Sequence, residues 1–164
     1  MKRILAIVVA VVLMEATSWS PVLAGVGVQA GGARDWLKLG DGMDWEEVGA
    51  LGGGLSYDIV LDEEGYQGLS IGTRFSDDTN IQQYLLEYWT VAAVEWFIGA
   101  NMDVWDKELV GETKFLGGGR AGLRFDDVAG LPLELSGHYS AGDGGTGHAG
   151  IFLGLRITQE IGGE

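Results

Sequence analysis

The sequence predicts an all-β protein, an antiparallel eight-stranded transmembrane β-barrel behind a cleaved export signal. Three observations carry that reading. A two-residue alternation of apolar and polar side chains recurs along the chain after residue 24. The apolar face of the alternating segments carries no Asp, Glu, Lys or Arg, whereas the opposite face carries both signs. Glycine is heavily used, 29 of 164 residues against an average of about 7%, with no G-X-Y repeat, which suits a tightly curved sheet and excludes collagen.

Residues 1–24 read as a secretory signal peptide. Met1-Lys2-Arg3 is a basic start, Ile4 to Met14 is an apolar run too short to span a bilayer, and Val22-Leu23-Ala24 offers small residues for cleavage. Residues 25–164 then form one domain. Without Lys2, Arg3 and Glu15 the mature chain has 8 basic and 23 acidic residues, a formal charge of −15. Such a chain repels phosphate, so nucleic acid is no partner. With no cysteine there is no disulfide, thiolate nucleophile or zinc–cysteine site.

The strands follow in order. The first is Val26 to Ala30, and Gly31 to Glu46 reads as a long acidic loop holding Asp35, Asp41, Asp44 and Glu46. The second sets Leu51, Leu55, Tyr57 and Ile59 against Gly52, Gly54, Ser56 and Asp58, and turns at Asp62–Gly65. In the third, Leu69, Ile71 and Phe75 oppose Ser70, Gly72 and Arg74, with a turn at Asp77–Asn80. Two more, carrying Tyr84, Leu86 and Tyr88 and then Trp96, Ile98 and Met102, meet near Thr90–Ala93. No Gly, Pro or Asn marks that turn, and Gln82–Phe97 also fits a helix. After the loop Asp106–Glu112, the sixth opposes Phe115, Ala121, Leu123 and Phe125 to Lys114, Arg120 and Arg124. The seventh, Leu131 to Ser140, puts Leu131, Leu133 and Leu135 on one face and Glu134, Ser136, His138 and Ser140 on the other. The last opposes Ile151, Leu153, Leu155 and Ile157 to Gly154, Arg156 and Thr158.

A charged side chain at the bilayer midplane costs about 2–4 kcal/mol for Arg or Lys, so a charge-free face is what lipid demands. The narrow lumen of eight strands must be filled, and mixed charges can fill it as a paired network. Tyr57, Tyr84, Tyr88, Trp96 and Tyr139 lie toward strand ends on the apolar face, as interfacial girdles do. The competing architecture is a soluble lipocalin-like barrel with the apolar face turned inward around a hydrophobe.

Chemistry points to His138 and Ser140, which share a strand face two residues apart, with imidazole as base and hydroxyl as nucleophile. Glu134 lies roughly 13 Å down the strand, so Asp143 in the following turn is the expected orienting carboxylate. The bland alternative is a lumen histidine held in a polar network. Asp41-Gly-Met-Asp44 lacks EF-hand spacing and reads as a solvated acidic loop. Gly142–Gly147 joins strands with no helix behind it, so it cradles no phosphate. His148 could join His138 on a metal, but two histidines and one aspartate are a thin ligand set, and neither metal nor cofactor is expected.

The stretch Phe115-Leu-Gly-Gly-Gly-Arg-Ala-Gly-Leu-Arg-Phe125, through His138-Tyr-Ser-Ala-Gly142, to Gly150-Ile-Phe-Leu-Gly-Leu155 resembles the C-terminal half of the lipid A deacylase family. The resemblance implies an outer-membrane barrel that hydrolyses an ester-linked acyl chain of lipopolysaccharide, with His138 as base and Ser140 as nucleophile. Ala141 stands where that family has Asn, and Gly150 falls near its acidic position. Parity puts His138 and Ser140 on the lumen face, whereas the family's site faces the outer leaflet. A bulge near Gly137 would turn them outward, because one extra residue flips every later side chain. The alternative function is a non-enzymatic structural or surface-interaction barrel acting through its acidic loops.

Overall fold

The computed structural model describes residues 24–61, 66–76, 81–106 and 111–161. The expected signal peptide, apart from Ala24, and the turns at Asp62–Gly65 and Asp77–Asn80 lie outside them. Eight antiparallel strands close into a barrel in sequence order, β8 pairing back onto β1. They are β1 (Ala24–Lys38), β2 (Glu46–Val60), β3 (Gln67–Ser76), β4 (Ile81–Val91), β5 (Glu95–Trp105), β6 (Lys114–Val128), β7 (Leu131–Ala141) and β8 (Gly147–Ile161). The helical alternative for Gln82–Phe97 is excluded: β4 and β5 pair from Ile81↔Trp105 to Val91↔Glu95 around a bend at Ala92–Val94.

Burial follows the alternation. In β4 the inward residues Ile81, Gln83, Leu85, Glu87 and Trp89 are buried, while Gln82 and Leu86 between them are exposed. The same holds in β7, where Glu134, Ser136, His138 and Ser140 are buried and Leu135 and Tyr139 face out. The apolar face therefore lies outside, and a lipocalin-like interior is excluded. Leu51, Leu55, Leu86, Ile98, Leu153 and Ile157 are each more than half exposed, a surface that water does not tolerate and lipid does. Outward aromatic residues gather toward the loop end at Trp36, Phe75, Phe115 and Tyr139, and toward the other end at Tyr57, Tyr88 and Trp96.

Two expectations need correction. First, β1 does not stop at Ala30; it runs to Lys38, so half of the supposed loop is strand and Asp35 points into the lumen, 1% exposed. Gly31-Gly32 hides this in the sequence, because glycines carry no side chain to show the alternation. Second, the outer face is not free of charge over the full strand lengths. Arg34 projects outward and pairs with Glu47 of β2 at 3.0 Å, both side chains more than half exposed. A bilayer needs only about 9–11 residues of tilted strand, and the pair stands in the loop-end part of the 15-residue β1 and β2, at the aromatic level of Trp36.

The lumen is filled, not open. Glu134 of β7 is its hub: Arg120 and Arg124 of β6 both bind it, the latter at 3.1 Å, and Gln29 of β1 donates to it at 2.9 Å. Glu87 accepts from Arg120 at 2.7 Å and from Arg124 at 2.5 Å, Arg124 also reaches Glu95, and Arg156 binds Asp58 at 2.6 Å. Both Arg120 and Arg124 lie over the Phe97 ring, and Arg74 lies 4.1 Å from the centroid of Phe152. Removing ions from water is costly, and pairing of this kind offsets much of that cost. At the loop end, Leu37, Ile81, Trp105 and Leu116 close the bore, with Leu39 and Val48 packed against them.

Candidate functional site

Between the apolar cap and the ion-pair ladder lies a cluster built on the seam where the barrel closes. Strand register sets it. Gly150 of β8 pairs with Asp35 of β1 on one side and with His138 of β7 on the other, so the two side chains flank a residue that has none. A Cβ at Gly150 would collide with Asp35 Oδ1 and come within 2.5 Å of His138 Cε1. The glycine is needed for space, since its backbone is ordinary strand. His148, two residues earlier on β8, points inward beside them.

In this cluster His138 Nε2 and His148 Nε2 stand 3.2 Å apart with their rings edge to face, and Asp35 Oδ1 lies 3.7 Å from His148 Nε2 and 4.0 Å from His138 Nε2. These last separations exceed hydrogen-bond length, and Asp35 Oδ1 is buried without a hydrogen-bond partner. On the far side of His148, Nδ1 meets Asp103 Oδ2 at 2.7 Å. Asp103 is itself held at Oδ1 by Gln83 Nε2 at 3.0 Å and Asn101 Nδ2 at 2.7 Å. That contact places a proton of His148 on Nδ1, between the ring and Asp103, and turns Nε2 toward His138 and Asp35.

The sequence-predicted residues fare differently. His138 and Ser140 both point into the lumen, buried, and β7 keeps unbroken register with β8 from Leu133↔Leu155 to Ala141↔Gly147, so no bulge at Gly137 turns them outward. The only register shift on β7's other side falls between Phe125 and Val128, far from the pair. Ser140 Oγ accepts from Asn101 Nδ2 at 2.6 Å. The ring of His138 faces His148 and Asp35. Asp143 is exposed in a short 3-10 turn, Asp143–Gly145, where its carbonyl accepts from Thr146 Oγ1 at 2.9 Å. The carboxylates beside the imidazoles are instead Asp35 and Asp103, which sequence reasoning left without a role. Continuing the alternation through Gln29, Gly31, Ala33, Asp35 and Leu37 would have found Asp35.

On the outer wall behind His138 runs a shallow apolar groove. Gly119, Gly137 and Ala149 form its floor and Trp36, Tyr139 and Ile151 its sides.

The apolar exterior, the two aromatic levels and the charged, sealed lumen together decide the setting. This is an outer-membrane β-barrel. Among solved structures, the chain is similar to Neisserial surface protein A (TM-score 0.49, 13% identity, 80% of this chain and 96% of that one). It is also similar to Ail, the attachment invasion locus protein of Yersinia pestis, in complex with the heparin analogue sucrose octasulfate (TM-score 0.48, 15% identity, 82% and 99%). A third is the de novo designed TMB2.3 (TM-score 0.44, 14% identity, 82% and 95%). No family model and no curated protein matches the chain.

Proposed function

We propose that this chain is a non-enzymatic outer-membrane barrel that conducts nothing and works by presenting its loop end to a partner. The observation that carries this reading is the seal. Paired ions and the Leu37–Trp105–Leu116 cap fill the bore, and the His138/Ser140 pair sits inside it, turned away from lipid. The working surface is then the loop end, where Asp41, Asp44, Glu46, Glu47, Glu112 and Asp143 are exposed beside Trp45 and Met43. An acidic surface with aromatic anchors fits a cationic partner. Planar-bilayer recording of the purified barrel should show no stable conductance steps, and binding to a cationic surface should weaken when the loop acids are neutralised. A steady ion current overturns the sealed-bore reading.

One observation favours a second reading, lipid A ester hydrolysis by His138 and Ser140. The shallow apolar groove of the outer wall lies behind the His138 strand, where an acyl chain of the membrane would pass. Mass spectrometry of lipid A from cells expressing the wild type or Ser140→Ala separates the two. An unchanged acyl pattern supports the non-enzymatic barrel, and a shortened pattern that Ser140→Ala abolishes supports the hydrolase.

A further inference from the structure

We infer that Asp35, His138 and His148 form a binding site for a transition-metal dication of the zinc class, placed across the closing seam of the barrel. Each offers one ligand atom, and the three atoms converge. Their separations of 3.2, 3.7 and 4.0 Å define a triangle whose centre lies about 2.1 Å from every corner, the length of a Zn–N or Zn–O bond. Two imidazole nitrogens and one carboxylate oxygen are a donor set that suits zinc better than the oxygen-seeking calcium or magnesium.

A second observation points independently to a ligand. Asp35 is 1% exposed, and its Oδ1, aimed at the two imidazoles, has no hydrogen-bond partner. Buried carboxylate oxygens are otherwise paired. A cation at the centre of the triangle satisfies it. The surroundings are also built for the purpose: His148 gives its other ring nitrogen to Asp103, whose position Gln83 and Asn101 fix. Histidine ligands are oriented through such carboxylates. Gly150 supplies the room, because a Cβ there would collide with the Asp35 carboxylate and come within 2.5 Å of His138 Cε1.

The strand origin of the ligands gives the site a consequence. Asp35 belongs to β1, His148 to β8 and His138 to β7, so one ion ties the first strand to the last two. Metal that binds only the closed barrel stabilises closure by mass action. The inference is independent of the surface-interaction reading and competes with the hydrolase reading, because a metal-bound His138 Nε2 has no lone pair left to act as a base.

The test uses the untagged barrel in detergent, stripped with chelator and titrated with ZnCl2, with folding of every sample verified by its heat-dependent gel mobility. The wild type should bind one Zn2+ per chain and keep its folded mobility to a higher temperature with zinc than with EDTA. Cobalt should give the intense visible bands of a four-coordinate site. His138→Ala and His148→Ala should lose stoichiometric binding, Asp103→Asn should weaken it about 10–100-fold, and Asp44→Asn, on the exposed loop, should leave it intact. Wild-type barrel that binds less than one zinc per chain, or cobalt with only the weak spectrum of the hydrated ion, overturns the inference without reference to any variant. A folded His138→Ala/His148→Ala double variant that still binds one zinc overturns it as well.

Discussion

Toward the end of the barrel where β1 begins and β8 ends, Glu134 is buried and shared among Arg120, Arg124 and Gln29. Toward the loop end, Asp35 is as deeply buried, yet its Oδ1 accepts no hydrogen bond. Arg120 also leaves its Nε over, but its Nη1 and Nη2 are paired, and Arg74 Nη1 is likewise without a hydrogen bond. Two buried carboxylates in one lumen thus have opposite energetic characters. The first belongs to a network that holds the wall together; the second has only the longer contacts of 3.7 and 4.0 Å to His148 and His138, and a buried carboxylate oxygen without a hydrogen bond is a place where a further group can bind.

Stability measurements can break that contrast, beginning with the largest effect. Glu134→Gln leaves Arg120 and Arg124 buried with one fewer counter-charge, and should cost about 3–5 kcal/mol in urea unfolding of the lipid-embedded barrel. A loss below 1 kcal/mol in that experiment would dissolve the structural role assigned to the ladder. Gly150→Ala forces a methyl group against Asp35 and His138 and should cost about 1–3 kcal/mol. The neighbouring Gly137→Ala, whose Cβ would meet only Gly150 O at 3.7 Å, should change stability by no more than about 0.5 kcal/mol. Equal losses from the two glycine variants would show that Gly150 is not specially constrained.

Asp35→Asn sharpens the contrast further because its sign is reversed. With chelator present it removes a buried charge lacking a hydrogen bond, and unfolding should show no loss and up to about 1 kcal/mol of gain. Destabilisation on the scale of Glu134→Gln would put Asp35 in the same class as the ladder. A similarly small effect belongs to the exposed Arg34–Glu47 pair, where Arg34→Ala should cost less than about 1 kcal/mol, and that cost should fade in high salt.

Much of the fold was legible beforehand. Leu51 through Asp58 and Leu131 through Ser140 alternate cleanly enough to assign both strand and face, whereas within Ile81 through Trp105 the stretch Gln82–Phe97 fits a helix as well as two strands. The turn at Ala92–Val94 was harder because no residue there marks it. The end of β1 was misread because Gly31, Gly32 and Ala33 show little pattern and Arg34, Asp35 and Lys38 look like loop. That misreading removed Asp35 from the lumen and left Asp143 as the nearest carboxylate in the chain. Asp143 is near His138 along the sequence, but the turn holds it exposed. Asp103, which does meet a histidine, stands 45 residues from His148.

What the sequence by itself determined is the side of the wall on which each residue lies, because a strand alternates by two whatever it pairs with. That rule was enough to send His138 and Ser140 into the lumen. Only the tertiary structure decided which lumen residues meet. Partnership depends on the register of separate strands and on the closure of β8 onto β1, which sets Asp35, Gly150 and His138 side by side. Local alternation carries no information about such pairings, since any shift by two residues preserves every face while exchanging every neighbour.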